Sequence, residues 1–211
     1  MGRPSDQSAQ MRLYDRRNQR LYLNASERER FIAAAWAAPG EVRTFCLTLA
    51  YTGCRISEAI ELTPAVVQLS SRLIGFRTLK KRQAHVVREV PIPSMLAREL
   101  DRVHTISALP GSRQPLWPHR GRPVYRSLAY RWVKATMAEA GIEGAQAMPK
   151  GLRHGYGVHA IRAGVQLHML SKWMGHASLK TTAIYATAVG LEELEIADRM
   201  WAGEDESAVE R

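Results

Sequence analysis

The sequence predicts a mainly α fold carrying a small three-stranded antiparallel sheet. Three observations predict it. Over most of the chain apolar residues recur at helical spacing, between cap and breaker residues such as Asn24, Pro39, Gly53, Pro64 and Gly164. One stretch, Val66 to Pro93, instead carries short β-rich runs divided by polar turns. An apolar share of 45% over 211 residues is ordinary for one globular domain with its own core.

The elements follow in order. Residues up to about Leu23 are polar and rich in arginine and read as an arm or partly ordered lead-in, residues 1–23. Two overlapping capping boxes, Asn24 with Glu27 and Ser26 with Glu29, precede the apolar run Phe31, Ile32, Ala34, Ala35 and Trp36, so a helix starts there and ends at Pro39-Gly40. Glu41 to Tyr51 has little polar surface and reads as a core helix, broken by Thr52-Gly53-Cys54. Arg55 then opens a short helix, Ile56 to Leu62, with Glu58 on the same face. The three strands are Val66 to Leu69, Leu73 to Phe76 and Val86 to Pro91, and the second turn holds Lys80, Lys81 and Arg82 at a hairpin tip.

Ser94 to Ser107 returns to helix. The Pro-, Gly- and Arg-rich stretch from Leu109 to Pro123 reads as a loop pinned to the core by Leu116 and Trp117. Helices are predicted over Tyr125 to Ala140, Lys150 to Arg162, Gln166 to Met174, and Ser178 to Thr187 with Ser178 as cap. Beyond Gly190 an amphipathic segment carries Leu191, Leu194, Ile196, Met200 and Trp201. The boundaries drawn are a central domain at 24–189 and a C-terminal helix with an acidic tail at 190–211.

A formal charge of +10 points to a polyanion partner, because clustered Lys and Arg gain affinity for phosphate backbones by releasing counterions. The body is more basic than the total implies: residues 1–190 hold 28 Lys and Arg against 12 acids, and the other eight acids lie between Glu192 and Glu210. No apolar run reaches the roughly 18 residues of a membrane span, and the first residues lack the apolar core of a signal peptide. A cytoplasmic protein with no membrane partner is expected. Cys46 and Cys54, both in apolar surroundings, read as buried free thiols.

Four separate places offer groups suited to breaking a phosphodiester with an in-line nucleophile. That chemistry needs positive charge on the non-bridging oxygens, a nucleophile, and a proton donor for the leaving oxygen. Arginine is the best clamp, since its planar fork stays charged and donates two parallel hydrogen bonds. The stretches Thr52-Gly53-Cys54-Arg55-Ile56-Ser57-Glu58-Ala59, Leu152-Arg153-His154-Gly155 and Leu170 to Tyr185 (LSKWMGHASLKTTAIY) resemble, in order and spacing, the tyrosine recombinases of the phage-integrase family. The resemblance spans Ser26 to Ala188 and implies that family's catalytic-domain fold.

It also implies roles. Tyr185 would attack a DNA phosphorus and form a 3′-phosphotyrosyl link that conserves the bond energy. Arg55 and Arg153 would clamp the phosphate, and His176 would donate to a non-bridging oxygen. Lys80, with Lys81 as the alternative, would protonate the leaving 5′-oxygen, while Glu58 would orient the site by holding an arginine or histidine. Candidate DNA contacts are Lys81, Arg82, His154, Lys172 and Lys180; from the residues alone, packing or second-layer bonding is the favoured reading of His154 and His159, over a metal site that no third ligand completes. No metal or nucleotide cofactor is implied, because arginines supply the charge. The implied partners are double-stranded DNA, further copies of the chain in a dimer or tetramer through the C-terminal segment, and an accessory DNA-binding protein.

Two departures stand out. Family members usually carry His three residues before the second Arg, where this chain has Lys150, either a base of depressed pKa or a charged phosphate contact, the latter favoured. The arginine-rich lead-in also stands where most members have an N-terminal helical DNA-binding domain, so a short form is expected. Lys150 and the short lead-in keep a type IB topoisomerase-like relaxation activity open as an alternative. The basic charge alone would fit a non-catalytic DNA-binding regulator on the same scaffold.

Overall fold

A computed structural model describes residues 12–77, 87–187 and the single positions 194, 197 and 198. Among them run helices α1 (Ala25–Ala37), α2 (Gly40–Thr52), α3 (Ile56–Ile60), α4 (Ser94–His104), α5 (Arg126–Glu139), α6 (Pro149–Arg162), α7 (Leu167–Met174) and α8 (Leu179–Ala183). The antiparallel sheet has the order β1 (Val67–Gln68), β2 (Leu73–Arg77), β3 (Val87–Pro91), and a small hairpin pairs β4 (Pro118–His119) with β5 (Arg122–Pro123). The predicted fold class is thus the observed one. No helix among the described residues is long and apolar enough to cross a membrane.

Helix α2 forms the spine, packed by α1, α4, α5 and α6. It buries Phe45, Cys46, Leu49 and Ala50, as its apolar spacing requires. The loop after α4 is pinned as predicted: the Trp117 ring meets Phe45 edge-on at 5.0 Å and its Nε1 donates to Thr44 Oγ1 at 3.0 Å. Losing so large a buried ring would cost about 3–5 kcal/mol. Gly53 ends α2 at a φ of 59°, and a Cβ there would fall 2.3 Å from the Tyr156 ring, so this turn needs glycine for both conformation and space.

Of the two capping boxes, Asn24 with Glu27 forms. Asn24 Oδ1 accepts the Glu27 N–H at 2.9 Å, and Glu27 Oε2 accepts the Asn24 N–H at 3.0 Å. Glu27 prevails because Arg20 and Gln146 also converge on its carboxylate.

Two stretches differ from expectation. Residues 12–23 do not form a free arm: Leu13, Tyr22 and Leu23 are buried, and Tyr14 pairs with Arg20 in an isolated antiparallel bridge. Five arginines dominate the composition of the lead-in, but its few large apolar side chains dock on α6 and its neighbours and decide its place. The helix expected over Ser178 to Thr187 divides into α8 and a 3-10 turn, Ile184–Thr187, that carries Tyr185 inward. Ser178 caps it as expected, accepting the Lys180 N–H.

Candidate active site

Arg153 gathers three distant parts of the chain. From the buried face of α6 its Nη1 donates to the Gly53 carbonyl and its Nη2 to the Met174 carbonyl at 2.7 Å. The same Nη2 lies 3.1 Å from His176 Nε2. A guanidinium only donates, so Nε2 must accept; the His176 proton then sits on Nδ1 and is donated to Thr182 Oγ1 at 2.8 Å. Burial first, then the neighbouring Arg55 charge, brings Arg153 down to about 10, which leaves it charged at neutral pH.

Tyr185 is fully buried on the other side of His176. The two rings stack, with centroids 6.2 Å apart at an interplanar angle of 19°. Gly157 makes room for the phenol: a Cβ there would stand 2.6 Å from the Tyr185 ring. The Tyr185 Oη lies 3.1 Å from His154 Nδ1. Burial pushes the phenol up to about 12 against the pull of Arg153 and Arg55. Burial, Lys150 and Arg153 together hold His154 down to about 4. Both groups are therefore neutral at pH 7. His154 is only 1% exposed, so the reading of it as a DNA contact gives way to packing against Tyr185, because its place on α6 turns it inward.

Glu58 holds two arginines. Its carboxylate accepts from Arg55 N at 2.8 Å and Arg55 Nη1 at 3.0 Å, and from Arg88 Nη1 at 3.1 Å and Nη2 at 2.6 Å. Burial works to raise Glu58, but the Arg88 hydrogen bonds and charge outweigh it and hold the carboxyl below the usual range. Arg88 also donates Nε to the Trp173 carbonyl at 2.8 Å and lies over the Phe76 ring, opposite it on β2. It thereby joins α3, the sheet and the end of α7.

A cavity of about 260 Å³ opens between these elements, lined by Arg55, Arg126, Lys150, Arg153 and His154. Its lining includes four cations and no carboxylate, so it suits an anion of phosphodiester size. A larger space of about 540 Å³ beside Glu61, Arg77 and Arg113 has two carboxylates and no tyrosine in its lining. Lys172 and Lys180 are exposed and lie outside the cavity lining. Lys80, Lys81 and Arg82 fall outside the described residues. Among the described residues no three His, Cys, Asp or Glu side chains group as a metal site.

The model of the phage integrase family matches residues 21–189. This chain belongs to that family. The tyrosine recombinase XerD of Corynebacterium glutamicum is 32% identical over 167 residues, covering 75% of this chain and 53% of its own length. XerC of Rhizobium meliloti is 33% identical over 159 residues, covering 72% and 48% respectively. The chain thus spans about half the length of the curated relatives it matches. Among solved structures, the XerA recombinase superposes with a TM-score of 0.73 at 24% identity, over 85% of this chain and 64% of that one. The XerH recombinase bound to palindromic difH substrate superposes with a TM-score of 0.71 at 20% identity, over 92% and 57%. These two likenesses establish the fold.

Two residues of this integrase-family chain escaped sequence reasoning. Arg88 had a readable signal: on β3 it alternates in phase with buried Val90, between exposed Val87 and Glu89, and an arginine at an inward register needs a carboxylate partner. Arg126 sits in the first turn of α5, where a cation opposes the helix dipole, a placement that hints at service to something else.

Proposed function

We propose that this chain cleaves and rejoins double-stranded DNA at specific sites through a 3′-phosphotyrosyl intermediate on Tyr185. The observation that carries the reading is the convergence of Arg55, Arg153, His176 and Tyr185, from three distant stretches, beside a cavity whose lining holds four cations and no carboxylate. Arg55 and Arg153 neutralise the scissile phosphate, and Arg126 and charged Lys150 add contacts to the same anion. His176 gives its hydrogen bond to a non-bridging oxygen, which requires Arg153 Nη2 to swing from Nε2 to the phosphate and the ring to carry a hydrogen on Nε2, by protonation or by a change of tautomer in which Thr182 Oγ1 donates to Nδ1. Lys80, or Lys81, protonates the leaving oxygen, and Glu58 fixes Arg55 for its clamp. Lys81, Arg82, Lys172 and Lys180 extend the contact to flanking phosphates.

The catalytic unit is residues 24–189, and the partner is duplex DNA, as for the XerH recombinase, solved with its difH substrate. Copies of the chain associate on DNA as a dimer or tetramer through residues 190–211; exposed Leu194 suits such a contact. An accessory DNA-binding protein assists, in the cytoplasm. The test is a library of nicked duplexes of random sequence, incubated with the full chain and denatured. Protein–DNA adducts that survive denaturation, and vanish with Tyr185→Phe, are expected; a wild-type chain that yields none overturns the reading.

A further inference from the structure

A phenol held up near 12 attacks slowly unless something takes its proton, and Lys150, as an ammonium, has no lone pair to do so. His154 does. Of its ring nitrogens, Nδ1 is 3.1 Å from Tyr185 Oη, while Nε2 is buried without a hydrogen-bond partner among the described residues. Two proton arrangements compete. With the hydrogen on Nδ1 donated to Oη, the phenolic hydrogen and the Nε2 lone pair both go unmet. With Oη–H donating to Nδ1, the Nε2–H and the Oη lone pairs go unmet, so the two arrangements orphan equal numbers of groups, and only the second places the phenolic hydrogen on a lone pair that can take it.

We infer that His154 is the proton acceptor for Tyr185 in strand cleavage, taking over from the histidine whose usual place at the start of the same helix is filled by Lys150. The inference rests on the recombinase reading above. As Oη bonds to phosphorus its proton passes to Nδ1, the bond from phosphorus to the 5′-oxygen breaks, and that oxygen takes a proton from the Lys80 or Lys81 ammonium. Rejoining reverses each transfer. Lys150 and Arg153 from α6 hold the imidazole down, Arg55 from the start of α3 and Arg126 from α5 line the same cavity, and Tyr185 bonds to it from the 3-10 turn. A phosphodiester in the cavity offsets those four cations, so the imidazole becomes a stronger base when substrate is bound.

Two variants separate proton transfer from positioning. His154→Asn keeps a polar atom near Nδ1 that holds the phenol but takes no proton, and His154→Ala removes both. On a duplex recovered from the random library, single-turnover cleavage is expected to fall at least about 100-fold in both variants. The Asn variant is also expected to regain rate with rising pH up to about 10, while the wild type levels off. Wild-type cleavage rates in His154→Asn overturn the inference. Nitrogen-15 histidine NMR of the wild-type full chain, compared with Tyr185→Phe, needs neither DNA nor a stable His154 variant. The expected spectrum has Nε2 protonated and Nδ1 bare, with Nδ1 shifting in Tyr185→Phe; a proton on Nδ1 overturns the inference. Absence of any wild-type adduct together with the expected NMR result would sink the recombinase reading and leave the His154–Tyr185 hydrogen bond standing.

Discussion

Arg88 Nη2 lies 2.6 Å from Glu58 Oε2, and both side chains are buried. The pair ties the sheet to the helix that presents Arg55, so it is the frame on which the phosphate clamp stands. Removing one partner strands the other charge inside the protein. Arg88→Met and Glu58→Gln are each expected to lose about 3–5 kcal/mol in urea denaturation. The double variant is expected to lose less than the sum of the two, because neither stranded charge then remains.

Stability should also fall on acidification in two steps, each with a definite sign. Burial holds His104 and His154 down at about 4, below the ordinary histidine value of 6.5. Between those values the unfolded chain binds protons that the folded chain refuses, so stability drops as pH falls from 6.5 to 4, by up to about 1.4 kcal/mol per unit for each histidine. His159 is shifted the same way and contributes less, because water reaches it. Glu58 acts next. Its carboxyl is held below the ordinary value of 4.5, so the stability it gives above that value is lost only as pH falls through its lower folded value. Urea midpoints measured from pH 8 to pH 3 should trace both steps; a flat profile between 6.5 and 4 would refute the first.

Gly157→Ala tests how tightly the nucleophile is seated. The new methyl group would stand 2.6 Å from the Tyr185 ring, so the ring must shift. Overpacking costs about 1–3 kcal/mol, and alanine returns about 1 kcal/mol over glycine inside a helix. The fold should therefore survive with a small loss of stability. A displacement near 1 Å at a reacting atom is worth about 100-fold in rate, so adduct formation should drop by that order while DNA affinity holds. Gel-resolved adduct yields and binding isotherms on one duplex measure both.

Much of this arrangement was legible in the sequence, because the features that mark it are local. Caps, breakers and apolar spacing set the helices, alternation marked the sheet, and the residues around Arg55, Arg153 and His176 carried the site. What escaped depends on long-range packing. Whether Asn24 or Ser26 caps α1 is decided by Arg20 and Gln146, the latter more than a hundred residues away. The docking of Leu13 and Tyr22 is hidden behind arginines, and the inward turn of Tyr185 onto His154 needs the gap at Gly157. Arg88 and Arg126 matter for what faces them, which no spacing along one strand or helix reveals.

Arg126 offers a test of the anion cavity that leaves the reacting atoms alone. It lines the space with Arg55, Lys150 and Arg153 but has no part in holding Tyr185 or His176. If it meets a DNA phosphate, its removal releases one fewer counterion on binding. The slope of log K against log salt should then shrink by about 0.9 in Arg126→Ala, with affinity falling by a similar factor on every duplex sequence. Fluorescence anisotropy on two unrelated duplexes across a series of potassium chloride concentrations reads both quantities. An unchanged slope would place Arg126 off the DNA, and a loss confined to one sequence would make it a base contact instead.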